Sequence, residues 1–367
     1  MKNEISPSQF KILLILYILG SAIIYMPTIQ TVAAGRNGWI SILLGGLIAV
    51  FILNFYVILS NTHPNKNLFE LNVEILGKKF GLIINFTYLI YIVILLALIT
   101  RGLGDFLTTT ILTETPIEVL MLLIIITVTI GANYGVVTIV RANQVLFPII
   151  VLSFVIGVIL VLPLFDITKF YPILDEGMKP IINGTLQIIG FPYTEVIILM
   201  IVFPFLKDRK KIKLNTLIGT IIATAVFFII TSSGIGVLGA DTVSRQAFST
   251  YTIAKNFGTG NTILRLEAIF SIIWIITVFN ELVICIIGLC MCINSVFNTN
   301  EYKVYVKPAS LLILPISLLI GENIIFISTW TTKIWPIYSV TMGLLLPIFI
   351  YLVYKIKNYI NNTVQDL

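Results

Sequence analysis

The sequence predicts an all-α polytopic membrane protein of about ten transmembrane helices, folded as two inverted five-helix repeats with broken first and sixth helices. Three observations lead there. A chain of 367 residues that is 58% hydrophobic and 11% charged, with a mean hydropathy of +1.04, has too much apolar surface for one water-soluble core. Ten stretches of roughly 18 to 30 residues are apolar enough to cross a hydrocarbon layer ~30 Å thick as helices, which satisfy their own backbone hydrogen bonds in lipid. Two of those stretches are interrupted in mid-membrane: the first by Gly20-Ser21-Ala22, with Pro27 following, and the sixth, five segments on, by Gly190-Phe191-Pro192. Corresponding breaks in the first helix of each half mark an inverted-repeat transporter, whose discontinuous helices expose backbone groups to a bound solute.

The spans fall near residues 10–33, 38–60, 82–108, 117–136, 142–164, 181–205, 214–239, 262–293, 308–328 and 334–356. They form one transmembrane domain over 1–367, with repeat one at about 10–164 and repeat two at about 181–356. The third and eighth are the longest and are expected to tilt or protrude. The first is no cleavable signal peptide: it is long, polar groups interrupt it, and no small-residue cleavage pattern follows a short apolar core. Between the second and third spans, Asn67 to Gly77 carries apolar residues at helical spacing with Glu70 and Glu74 on another face, the pattern of a short interfacial helix. The connectors 165–180 and 240–261 are richer in Pro, Gly and charge, and read as lids, partner contacts or solvated loops.

Lys and Arg set the orientation, because cytoplasmic loops hold an excess of them. With both termini in the cytoplasm, 15 of the 23 basic residues face that side, the Lys207 to Lys213 cluster foremost. The other eight, Arg36, Arg101, Lys169, Lys179, Arg245, Lys255, Arg265 and Lys333, face outward. N-in, C-in is therefore expected. The net charge of +6 then reflects topology and attraction to anionic membrane lipid, and calls for no nucleic acid. Cys285, Cys290 and Cys292 share one apolar stretch without metal-ligand spacing, so reduced core thiols are expected. His63 is the sole histidine and sits in a loop, which leaves no Ser-His-Asp triad and no His-based metal site. Gly234 to Gly239 matches G-x-G-x-x-G, but at the end of a span rather than between a strand and a helix. Neither an enzyme nor a cofactor is implied.

The breaks carry the expected chemistry. A helix interrupted at Gly20, Ser21 and Ala22 leaves amide N–H groups at the positive start of its second half, suited to a carboxylate. Carbonyls freed at the end of its first half suit an ammonium group or a cation. Gly190, Phe191 and Pro192 do the same for the sixth span, since proline removes one amide and glycine admits a ligand to the backbone. Together they fit an amino acid zwitterion; the alternative is that these residues merely kink their helices. Ionisable groups inside the layer cost ~2.5–3.5 kcal/mol each on insertion scales, and so face the bundle interior. Glu195 lies about one and a half turns past Gly190, and Glu281 stands beside Asn280 in the eighth span. Glu195 is thus expected to bind ligand by pairing with a substrate amine, or to take up a proton, and Glu195, Asn280 and Glu281 are the expected proton- or ion-coupling groups, with a structural hydrogen bond as the competing role. Tyr88 and Tyr91 either line the pocket or pack, and Arg101 reads as a snorkelling or structural residue. Trp39, Trp330 and Trp335 fit an interfacial belt, and Trp274 lies deeper, in the core.

Several short motifs in order carry a family resemblance. Ile5-Ser6-Pro7-Ser8-Gln9-Phe10 leads into Gly20-Ser21 and then Ala34-Gly35-Arg36-Asn37-Gly38-Trp39-Ile40; later come Gly135, Arg141 and Pro148. Gly190-Phe191-Pro192-Tyr193-Thr194-Glu195 and Arg265-Leu266-Glu267-Ala268-Ile269-Phe270 with Trp274 follow. The chain resembles the B subunit of spore germinant receptors, the GerAB-type spore germination permeases of the amino acid–polyamine–organocation superfamily, over essentially its whole length. The resemblance implies a LeuT-like fold in the inner (cytoplasmic) membrane of an endospore. It further implies an A-type membrane subunit and a C-type lipoprotein as partners, an amino acid as the common germinant, and a broken-helix site at Gly20, Ser21, Gly190 and Phe191. Some proton-coupled relatives in that superfamily carry a Lys in the fifth span; this chain has none between Ala142 and Leu164. Germinant sensing is the expected function, with an autonomous proton- or sodium-coupled amino-acid permease as the alternative.

Overall fold

The computed structural model describes residues 4–256, 266–299, 301–321 and 324–365. The first span is two helices, α1 (Pro7–Leu19) and α2 (Ala22–Ala34). Ser6 and Gln9 start α1 with a capping box, Gln9 N–H donating to Ser6 Oγ at 3.2 Å and Ser6 N–H to Gln9 Oε1 at 2.9 Å, and Pro7 presets the first helical φ. The helix ends where Gly20 N–H closes the last turn on Leu16 O at 2.9 Å. Helix α3 (Gly38–Ser60) follows a turn at Gly35. The interfacial helix α4 (Leu68–Leu76) is present, with its own capping box between Asn67 and Glu70. Its apolar face, Leu68, Phe69, Leu71 and Ile75, is buried, and Glu70 and Glu74 are exposed as their spacing predicts. Lys66 beside Glu74 holds that carboxyl below its usual range.

Helices α5 (Lys78–Phe106), α6 (Ile117–Tyr134) and α7 (Val136–Val161) complete the first half. Only Gly135 separates α6 from α7, at φ +84°, a conformation that side chains with a Cβ rarely adopt. The sixth span is α8 (Lys179–Gly190), then Phe191-Pro192, then a nine-residue 3-10 run from Tyr193 to Ile201, every residue of it buried. Such runs seldom exceed three or four residues in isolation, so tertiary packing holds this one. Helix α9 (Ile212–Leu238) is the seventh span. Two short helices follow, α10 (Ala240–Ser244) and α11 (Ser249–Asn256), then α12 (Leu266–Phe297), α13 (Val306–Leu319), α14 (Ile324–Lys333), α15 (Trp335–Val340) and α16 (Leu346–Gln365).

The sixth and eighth spans form the centre. Of their most apolar windows 89% and 78% of residues are buried, against 17% for α7, which faces lipid. Helix α12 packs on α1, α5, α6 and α7, and α3 packs on α8 and α9. Nine continuous segments among the described residues are long and apolar enough to cross a membrane. The expected ten are recovered because Ala22–Ser60 joins half of the first span to the second, while Pro7–Leu19 is too short alone.

Some boundaries move. The ninth span stops at Leu319 rather than near 328, and the connector before the tenth is helix α14. The 240–261 connector is not a plain solvated loop as far as it is described: α10 and α11 pack on α2, and α11 also on α12. Arg265, counted among the outward-facing charges, lies outside the described residues.

Candidate functional site in a cavity at the helix breaks

A cavity of about 440 Å³ lies along the second halves of the first and third spans. Ser21, Tyr25, Thr28, Ile29 and Val32 form one stripe of α2 at helical spacing, running from the break to the helix end. Leu95, Leu98, Ile99, Gly102 and Leu103 form the facing stripe of α5. Phe191 and Glu195 close the deep end from the sixth span, Trp274 comes from α12, and Trp335 stands at the start of α15. Arg245 and Lys333 line the cavity and are exposed, which identifies its mouth.

At the deep end, Glu195 is fully buried. Its Oε1 accepts from Trp335 Nε1–H at 2.5 Å, while Oε2 has no partner among the described residues. Tyr17 Oη donates to the Glu195 carbonyl oxygen at 3.3 Å. The Trp335 indole is held flat against Tyr91, ring centroids 5.2 Å apart at 2°, and Tyr91 Oη shares a hydrogen bond with Ser339 Oγ at 2.9 Å. Trp335 is therefore no belt residue; it is 1% exposed and orients the buried acid. Trp274 does sit in the core, edge-on to Phe106 at 4.5 Å, and also presents a face to the cavity.

The break in the first span is occupied from within. Glu281 Oε2 accepts the Ser21 N–H at 2.6 Å, at the start of α2 where the helix dipole favours a carboxylate. The missing side chain of Gly20 makes room for it, since a Cβ there would overlap the Glu281 carboxyl. Thr277 Oγ1 stands 3.3 Å from Gly20 O, the carbonyl at the break, and 2.8 Å from Trp274 O, so its single hydroxyl hydrogen is shared between the two. Beside it, Asn280 Oδ1 accepts from Asn143 Nδ2 at 2.5 Å, tying α12 to α7.

Of the residues singled out from sequence, Ser21, Phe191 and Glu195 line the cavity. Gly20 and Glu281 meet at the first break, Ala22 is buried just past it, Asn280 is bonded to Asn143, and Tyr91 stacks on Trp335. Gly190 faces the Pro336 backbone and Pro192 is buried after a cis peptide bond with Phe191. Tyr88 donates to Met342 O at 2.9 Å, a packing role. Arg101 is structural, bonded to Asp105 Oδ1 at 3.0 Å and Gly321 O at 2.9 Å. Tyr25, Asp105, Arg245, Lys333 and Trp335 are wall residues that sequence reasoning did not pick. Asp105 alone carried a readable signal, its i,i+4 spacing from Arg101.

A helix bundle whose first and sixth spans are broken around a shared cavity defines a membrane protein of the LeuT-like transporter fold. Solved structures share it. Mhp1, a nucleobase-cation-symport-1 family transporter in a closed conformation with bromovinylhydantoin bound, superposes with a TM-score of 0.70 at 13% identity over 90% of this chain and 75% of that one. MhsT in complex with L-phenylalanine gives 0.61 at 13% identity over 94% and 97%.

The chain belongs to the spore germination protein family, whose profile matches residues 4–327. It is 26% identical over 356 residues to spore germination protein KB of Bacillus subtilis (strain 168), covering 96% of this chain and 95% of that protein. Spore germination protein YndE of the same organism is 26% identical over 298 residues (81% and 82%), and spore germination protein A2 is 27% identical over 277 (72% and 73%). The protein is thus an integral membrane protein of a germination permease family, whose structural neighbours are transporters and not enzymes.

Proposed function

We propose that this protein is the germinant-sensing membrane subunit of a spore germination receptor. In this reading it lies in the spore inner membrane with both termini cytoplasmic and binds a small solute, an amino acid, in the cavity between the breaks. The binding energy passes to an A-type membrane subunit and a C-type lipoprotein as a conformational bias. The repeats at about 10–164 and 181–356 supply one break each.

One observation carries the reading: a fully buried carboxyl, Glu195, with one oxygen that has no partner among the described residues, on the wall of a cavity large enough for a small solute. A buried acid without a second partner is expensive, and a solute that supplies one gains affinity for this arrangement over any in which the cavity is collapsed. That difference is what a sensor needs.

Glu195→Gln tests it. The amide keeps the shape and the acceptor toward Trp335 but removes the carboxyl group. Spores carrying the variant at wild-type abundance should need roughly tenfold more germinant for half response, ~1.4 kcal/mol of lost binding. An unchanged dose-response curve would sink the ligand role of Glu195. The second reading, an autonomous proton- or sodium-coupled amino-acid permease, draws on the same buried groups Glu195, Asn280 and Glu281. Solute uptake by vesicles holding this chain alone would favour it.

A further inference from the structure

Resting on the reading that the cavity binds a small solute, we propose that it recognises an organic ammonium group and leaves the solute's carboxyl end unread. The anion-attracting end of the first break is already filled: Glu281 Oε2 takes the Ser21 N–H at 2.6 Å, with both residues buried. A solute carboxylate at that amide would have to displace a buried carboxyl from its donor, or stand beside a second acid.

The remaining walls suit a cation. Glu195 Oε2 and Asp105 Oδ2 are buried and without a partner among the described residues, and both residues line the cavity; Asp105 is already paired with Arg101 through Oδ1 at 3.0 Å, so Glu195 is the principal acceptor. Ser21 Oγ, equally unpartnered, adds a neutral acceptor. The rings of Tyr25, Phe191, Trp274 and Trp335 complete the wall, and aromatic faces attract cations. Charge also runs the right way along the cavity. The fully buried acid is at the deep end, and the cations Arg245 and Lys333 are at the exposed mouth. An amino acid therefore enters amine first, its carboxylate left among screened charges that contribute little. The substrate class is a small primary amine with a compact apolar body, of which amino acids are one subset.

The test is a binding series on the purified full chain in detergent micelles, read by isothermal titration and thermal shift. The probes are the twenty L-amino acids, each beside its carboxamide and its N-acetyl derivative. For every amino acid that binds, the carboxamide should bind within about fivefold of the parent, and the N-acetyl form at least a hundredfold more weakly. A carboxamide tenfold or more weaker than its parent, or an N-acetyl form that binds as well, overturns the inference and leaves the solute site standing. Binding by no member of the series overturns both. The comparison is made on the wild-type chain, so it does not depend on a variant folding.

Discussion

Trp335 sits where one side chain does two jobs, donating its indole N–H to Glu195 and lying flat on Tyr91. Trp335→Phe separates them: the ring can still stack, but neither Glu195 oxygen then has a partner among the described residues. We expect wild-type abundance in the membrane with a right-shifted germinant response, measured as spore dose-response curves, while Tyr91→Phe, which removes only the bond to Ser339, should shift it less. Loss of the protein from the membrane in the Phe variant would make the contact one of folding. Glu195 was legible because an acid inside a hydrophobic stretch is costly wherever it points. Trp335 was not, since a Trp at the start of a hydrophobic stretch reads as an interfacial anchor, and only the packing of α15 against Tyr91 turns it inward. Glu281 was found as a buried acid, yet its place as the internal cap of α2 depends on how α12 crosses the first break, which spacing along one chain does not encode.

The two glycines of the breaks have different neighbours and should fail differently. A Cβ on Gly190 would overlap backbone atoms of Pro336, which cannot move without parting α8 from α15. Gly190→Ala should therefore lower stability by ~1–3 kcal/mol, the usual range for overpacking, seen as reduced membrane abundance or a lower Tm in detergent. At Gly20 the two nearest obstacles are at the end of the Glu281 side chain, which can rotate away, and the third is the Tyr17 carbonyl oxygen at 2.8 Å. Gly20→Ala should keep more of its abundance than Gly190→Ala and lose response, because the displaced carboxyl frees the Ser21 amide. Equal abundance of the two variants would contradict this contrast. Long spans and both breaks could be read from hydropathy and from Gly and Pro. The 3-10 run from Tyr193 to Ile201 and the packing of α10 and α11 on α2 could not, because short elements take their form from neighbours remote in sequence.

Across the whole molecule, the two ends of the bundle are unlike. At the end holding the N-terminus, Ile5 pairs with the chain around Leu206, its N–H on Phe205 O at 2.8 Å and its carbonyl taking Lys207 N–H at 2.9 Å. Arg209 ties the same end together, donating to Phe203 O at 2.8 Å, Asn61 Oδ1 at 3.2 Å and Pro64 O. The cavity mouth is at the other end, with Arg245, Thr329 and Lys333 exposed. If the excess of basic residues around Lys207 to Lys213 holds that end in the cytoplasm, the cavity opens to the outside, where a germinant would arrive under the proposed function. Thr329→Cys tests orientation and opening together, because the native cysteines, Cys285, Cys290 and Cys292, are all buried. In intact cells expressing the chain, a membrane-impermeant maleimide should label Thr329→Cys and leave a cysteine at Lys213 unlabelled until the membrane is permeabilised. The opposite pattern would invert the topology and turn the mouth of the cavity to the cytoplasm, and a germinant outside the membrane would then have no direct route to Glu195.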